Sequence, residues 1–177
     1  MADKYNEIQK IADEWQKIKE KADELMEKVD SIKNLTSKSI LDFEEKEVFK
    51  ILIQLKKDDE TPLSKYIICP QVAFSAFLKN DSVFDWYVYN LFYADFLLVD
   101  DNKEPFCVIE YQGKGGGHEK VALPRDAVKQ AVCKKANIGF IELKAKQDVK
   151  NEPFETYVRR TIIEEIKSIE AEKKAKS

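Results

Sequence analysis

Two carboxylates, Asp95 and Glu110, lie in the apolar runs NLFYADFLLV and PFCVIEYQ, which are joined by the polar stretch Asp100-Asp101-Asn102-Lys103-Glu104. A polar turn between two β-prone runs predicts a hairpin. Centred on that turn, the hairpin sets Val99 against Phe106, Leu97 against Val108 and Asp95 against Glu110. The Cβ atoms of the last pair would lie roughly 4.5–5.5 Å apart on one face. Like charges held so close in apolar surroundings destabilise a sheet unless a proton or a cation sits between them. A divalent metal is the favoured reading, since Mg²⁺ takes one or two carboxylates together with waters and phosphate oxygens. A protonated or salt-bridged structural pair is the alternative. Alternation also places Gln112 on the face of Glu110, opposite Tyr93.

The elements that must hold these groups read as an α/β core between two helices. Three parts are expected: a heptad helix over residues 1–37, a core over 38–146, and a C-terminal helix with a polar tail over 147–177. From Tyr5 to Lys33 there is no Gly or Pro, and Ile8, Ile11, Trp15, Ile18, Ala22, Leu25, Val29 and Ile32 recur at alternating spacings of three and four. That is an a/d seam of about four heptads. It serves either as an amphipathic helix on its own domain or as a coiled coil with a second copy or a partner protein.

A helix beginning near Ser39 or Asp42 turns Phe43, Val48, Phe49, Leu52 and Leu55 inward and ends at Lys56-Lys57-Asp58-Asp59. Tyr66 to Phe74 reads as a strand that Pro70 makes bulged or an edge. In the hairpin, Leu97, Val99 and Val108 share the carboxylate face, while Phe96, Leu98, Cys107 and Ile109 share the other, so both faces are covered, as in a layered domain. Pro124 suits the first turn of a helix that Asn137 and Gly139 stop, and Ile138 to Leu143 supplies a further strand. From Pro153, the stripe Phe154, Tyr157, Val158, Ile162, Ile166 and Ile169 marks an amphipathic helix able to pair with the N-terminal one.

Composition narrows the function classes. The chain has 177 residues and a net charge of −3, which gives no general attraction to nucleic acid, so any such binding needs a local basic face. No apolar run reaches the roughly 18–20 residues of a membrane helix, and the polar N-terminus does not read as a signal peptide, so a soluble cytoplasmic protein is expected. Cys69, Cys107 and Cys133 lack CxxC spacing and read as reduced, buried thiols rather than zinc ligands.

With the elements placed, Asp95 followed by Glu110-Tyr111-Gln112 resembles the core of the PD-(D/E)XK, restriction-endonuclease-like nucleases, with Gln112 where that pattern has Lys. The chain from Leu41 to Lys144 is similar to an uncharacterised, DUF-type bacterial branch of that superfamily. The matching pieces are Glu45, Phe49 and Leu52; Pro70, Gln71 and Val72; Asp95-Phe96; Val108-Ile109-Glu110; His118; Arg125, Asp126 and Lys129; and the strand Ile138 to Ile141. The resemblance implies a restriction-endonuclease-like layered core, a central mixed β-sheet flanked by helices. It also implies a metal-dependent endonuclease in which Asp95, Glu110 and the Tyr111 carbonyl hold Mg²⁺ or Mn²⁺, with Glu45 approaching directly or through water. The metal would polarise the scissile phosphate and lower the pKa of a bound water.

Gln112 offers a neutral donor and acceptor where a Lys would add charge beside the attacking water. Lys114, two residues on, either replaces that charge or is a solvated loop lysine. Glu45 sits in an acidic cluster with Asp42, Glu44 and Glu47 at a helix start, where acidic residues also offset the helix dipole. The glycine-rich stretch from Gly113 to His118 matches neither a P-loop nor G-x-G-x-x-G, and its histidine, the only one in the chain, binds phosphate, moves a proton or is simply solvated. Arg125 and Lys129, one turn apart, make a phosphate contact or surface salt bridges, with Asp126 a partner for Lys129. A DNA nuclease is expected, RNA being also compatible. The alternatives are a catalytically silent nuclease fold that binds nucleic acid or protein, and an assembly module built on the heptad helix.

Overall fold

The computed structural model describes residues 2–31, 33, 36–79, 89–113 and 119–176. The chain forms two compact units, residues 1–38 and 39–177. The first is the helix α1, Ala2–Ser31. Its seam faces solvent: Ile11, Trp15, Ile18, Leu25 and Val29 are all at least half exposed, Trp15 at 67%. Pairs spaced by four residues, such as Gln16 with Glu20 and Lys28 with Glu24, lace its polar side.

The second unit is a four-stranded mixed sheet between helices. Its elements are α2 (Phe43–Lys56), β1 (Ile67–Ala73), β2 (Tyr93–Val99), β3 (Pro105–Tyr111), α3 (Glu119–Lys135), β4 (Gly139–Leu143) and α4 (Phe154–Lys176). The strand order is β1-β2-β3-β4, with β1, β2 and β3 antiparallel and β4 parallel to β3. The parallel pair needs a crossover, and α3 supplies it.

Local chemistry sets the boundaries. Asp42 caps α2 in a capping box, accepting from the Glu45 N–H while the Glu45 carboxylate accepts from the Asp42 N–H, each at 2.7 Å. Asn137 stops α3 by entering the left-handed region at φ 56°. Pro70 lies on β1, which is an edge of the sheet. The hairpin follows the expected register at Leu97↔Val108, Phe96↔Ile109 and Leu98↔Cys107.

Each face of the sheet has its own core. On one, Phe96, Leu98, Cys107, Ile109, Tyr111, Ile141 and Leu143 pack with Val48, Ile51, Leu52 and Leu55 of α2 and with Phe154, Tyr157, Val158, Ile162 and Ile166 of α4. Phe49 stacks on Phe96 with ring centres 6.0 Å apart. The C-terminal stripe is therefore spent on the sheet. On the other face, Leu97, Val108 and Ala94 pack with Cys133 of α3, Ile138, Phe74 and Tyr89. Cys107 and Cys133 are buried free thiols, and Cys69 is half-buried.

Three expectations are corrected. Val99 meets Pro105 instead of Phe106, because a bulge intervenes between Leu98 and Val99 and shifts the register by one residue at the turn. Phe43 is 84% exposed, since it is the first residue of α2 and lies beyond the sheet-facing stripe that starts at Val48. The helix α3 begins at Glu119, so Pro124 stands within its second turn rather than opening it.

Candidate functional site

The site is built at the end of the hairpin where the ladder stops. The last pair there is Phe96↔Ile109, and beyond it the Tyr111 N–H donates to Asp95 Oδ2 at 2.8 Å instead of to a strand carbonyl. Glu110 shares the parity of Val108 and meets Lys129, so it belongs to the face that α3 covers, while Asp95 stands at the end of the ladder, where both Lys129 and Asp42 act on it. Glu110 is only 4% exposed. From α3, Lys129 reaches down and places Nζ 2.5 Å from Glu110 Oε2, and both side chains are largely buried. Lys129 and Cys133 are one helical turn apart, and Cys133 packs in the same sheet face. Among the described residues, the buried Glu110 Oε1 has no hydrogen-bond partner.

Other groups converge on this point. Gln112 Nε2 donates to Asp126 Oδ2 at 3.2 Å, which ties the end of β3 to α3. Gln71 Nε2 donates to Glu45 Oε1 at 3.0 Å. Pro70 pairs with Phe96 and Val72 with Ala94, so Gln71 falls level with Asp95 on the neighbouring strand. Gln71 adopts φ 52°, a left-handed conformation rare for a residue with a side chain.

Burial raises all three carboxylates, and the Asp95 charge adds to the rise of the other two. Burial pushes the Glu110 carboxyl up to about 8; the Asp95 charge adds to the rise and Lys129 opposes it. Burial likewise raises Asp95, against the pull of the Tyr111 N–H and of Lys129, with Asp126 and Asp42 adding repulsion. Glu45 is raised by burial and, after the bond from the Asp42 backbone that lowers it, by the charge of Asp95. Asp95 thus couples to both of the other acids. Each of the three carboxylates is thereby disposed to hold a proton.

The expected site residues divide clearly. Asp95, Glu110, Gln112, Glu45 and Lys129 come together. Asp126 partners Gln112, and Lys129 partners Glu110, instead of the two joining each other, because Lys129 faces the sheet. Arg125 is exposed on α3 one turn before Lys129. The Tyr111 carbonyl accepts from the Gly113 N–H at 2.8 Å, which leaves one lone pair, while the Tyr111 ring lies in the opposite core with its hydroxyl donating to Glu44 at 3.1 Å. Lys114 and His118 lie outside the described residues. Gln71 was legible only as part of a strand. Its position level with Asp95 follows from β1 pairing with β2, which no local pattern specifies.

The donor set suits a hard cation, because it offers carboxylate oxygens, one of them buried and unpartnered. Among the described residues no three His, Cys, Asp or Glu side chains converge into a ready metal cluster. Any ion here would rest on two carboxylates, completed by carbonyl, water or phosphate oxygens.

Comparison with known proteins places the same region. No solved structure matches the chain. An uncharacterised protein of Haemophilus influenzae is 33% identical over 97 residues, covering 55% of this chain and 50% of that protein. The uncharacterised protein y4bI of Sinorhizobium fredii is 34% identical over 112 residues, covering 63% of this chain and 78% of the relative. The chain thus spans half the length of the Haemophilus relative. A family model described as a protein of unknown function, DUF2726, matches residues 37–165, which include α2, all four strands, α3 and every charged group of the site. By that match the chain belongs to the DUF2726 family.

Proposed function

We propose that the chain is a metal-dependent nuclease of the PD-(D/E)XK type that hydrolyses DNA phosphodiester bonds. The observation that carries this reading is Glu110: a carboxylate buried beside Asp95 with one oxygen unpartnered among the described residues. Burying two neighbouring carboxylates costs several kcal/mol per ion in order of magnitude, which selection retains where the charge has a use. Bound Mg²⁺ or Mn²⁺ would supply the polarised phosphate and a water acidic enough to attack.

The protein groups have separable roles. Asp95 and Glu110 hold the ion, Asp95 being oriented by the Tyr111 N–H. Gln112, fixed by Asp126, orients water or a phosphate oxygen but carries no charge. The positive charge at this point comes from Lys129 on α3. Arg125, exposed one turn away, meets the substrate backbone. Glu45 holds the third carboxylate near Asp95, positioned by its capping box and by Gln71.

The test is incubation of the full chain with supercoiled plasmid and Mg²⁺ or Mn²⁺, beside Asp95→Asn and Glu110→Gln. Nicking or linearisation by the wild type that disappears in both variants is expected. Correctly folded wild type that cuts neither plasmid, single-stranded DNA nor RNA would overturn the reading. One observation favours a second, non-catalytic reading: Lys129 already satisfies one oxygen of Glu110 without an ion, and the fold would then be a binding module.

A further inference from the structure

The ammonium of Lys129 occupies Oε2 of Glu110, beside the oxygen that has no hydrogen-bond partner among the described residues. Nζ lies 2.5 Å from Oε2, the side chains of the pair are 12% and 6% exposed, and the lysine comes from α3, which packs on the sheet through Cys133. The contact is therefore set by helix packing and is not a chance surface pairing. A lysine and a divalent ion on one carboxylate would be like charges a few Å apart in a partly buried site, and they would repel. We propose that Lys129 is a resident counter-ion that competes with the divalent metal for Glu110: the metal gains Glu110 only as the ammonium leaves it. This rests on the reading of Asp95 and Glu110 as ligands.

Two consequences follow from the chemistry. The ammonium already satisfies one Glu110 oxygen without metal, so metal affinity is weaker than two buried carboxylates alone would give. The displaced ammonium, on a flexible four-carbon stem anchored in α3, remains beside the site and free to meet a phosphate. Metal loading then positions Lys129 as well as the water, and Lys129 acts as a positioning group before any substrate contact.

The experiment is calorimetric titration of Mn²⁺ into the full-length wild type, Lys129→Met and Lys129→Gln, with Glu110→Gln as a control for the ligand. Lys129→Met is expected to bind Mn²⁺ on the order of tenfold more tightly, the size of an ordinary coupling between two sites. Without metal its melting temperature should fall. Equal or weaker Mn²⁺ affinity in folded Lys129→Met and Lys129→Gln overturns the competition while leaving the metal site standing. Absence of Mn²⁺ binding in folded wild type and both lysine variants overturns the metal site and the competition together. A readout on the wild type covers failure of the variants to fold. Amine acylation followed by mass spectrometry should leave Lys129 protected without Mn²⁺ and labelled with it, and identical labelling in both conditions overturns the proposal.

Discussion

The two faces of the β2–β3 hairpin are made from the same strands and do different work. Beneath α2 and α4, the face of Phe96, Leu98, Cys107 and Ile109 is apolar along its length and continues into Tyr111. Beneath α3, the face begins apolar with Leu97 and Val108 and ends in Glu110, covered by Lys129, with Asp95 at the margin of the ladder. Alternation alone separates the two, since neighbouring residues point to opposite sides. The domain can therefore place costly carboxylates in its interior while the other face supplies the apolar burial that tolerates them.

That division predicts opposite responses to substitution. Glu110→Gln and Asp95→Asn should lower plasmid cleavage on the order of 10²-fold or more, the usual loss when a group that stabilises developing charge is removed, with Asp95→Asn leaving the melting temperature equal or higher. On the other face, Ile162→Ala should cost about 2–5 kcal/mol in urea unfolding, with cleavage per folded molecule unchanged. If a core substitution under α4 selectively abolishes cleavage, the separation of the faces fails.

A partly destabilising change sits between these. Lys129→Met strips the counter-charge from Glu110 and should cost up to about 3–5 kcal/mol where Glu110 stays ionised. Less is lost at lower pH, because Glu110 can then take a proton. Unfolding at pH 6 and pH 9 measures the difference.

The pH dependence of the wild type sharpens the same point. Glu110 has a folded pKa raised to about 8 from an ordinary 4.5, so the folded state holds a proton that the unfolded state has released between those values. Its contribution therefore makes the metal-free protein less stable as pH rises from about 5 to about 8. Asp95 and Glu45 are raised too and add in the same direction. Melting curves without metal should show this decline, and Glu110→Gln should flatten it. The smallest effect belongs to Phe43→Ser, expected to shift stability by no more than about 0.5 kcal/mol because the ring is exposed.

Much of the hairpin was legible because its constraints are local. A polar turn between runs of matched length fixes the register, and period two assigns each residue to a face. The same logic gave the buried stripe of α4 and the stop at Asn137. It failed where contacts depend on which element packs on which. The Lys129–Glu110 pair requires knowing that α3 crosses over the carboxylate face, and its spacing to Asp126 on one helix suggested the wrong partner. Gln71 needed the β1–β2 register and a left-handed backbone, neither of which its neighbours announce. Phe43 misled because it lies five residues before Val48, a spacing that turns it away from the stripe of Val48, Ile51, Leu52 and Leu55.

The outer margin of β1 has a further meaning for how the protein behaves at high concentration. An edge strand is a template on which another chain can add. Here Pro70 removes one amide donor and Gln71, next to it, turns a peptide out of the extended path. A foreign strand growing along this margin would meet a missing bond and a kink side by side, so the sheet carries its own protection against edge-to-edge aggregation.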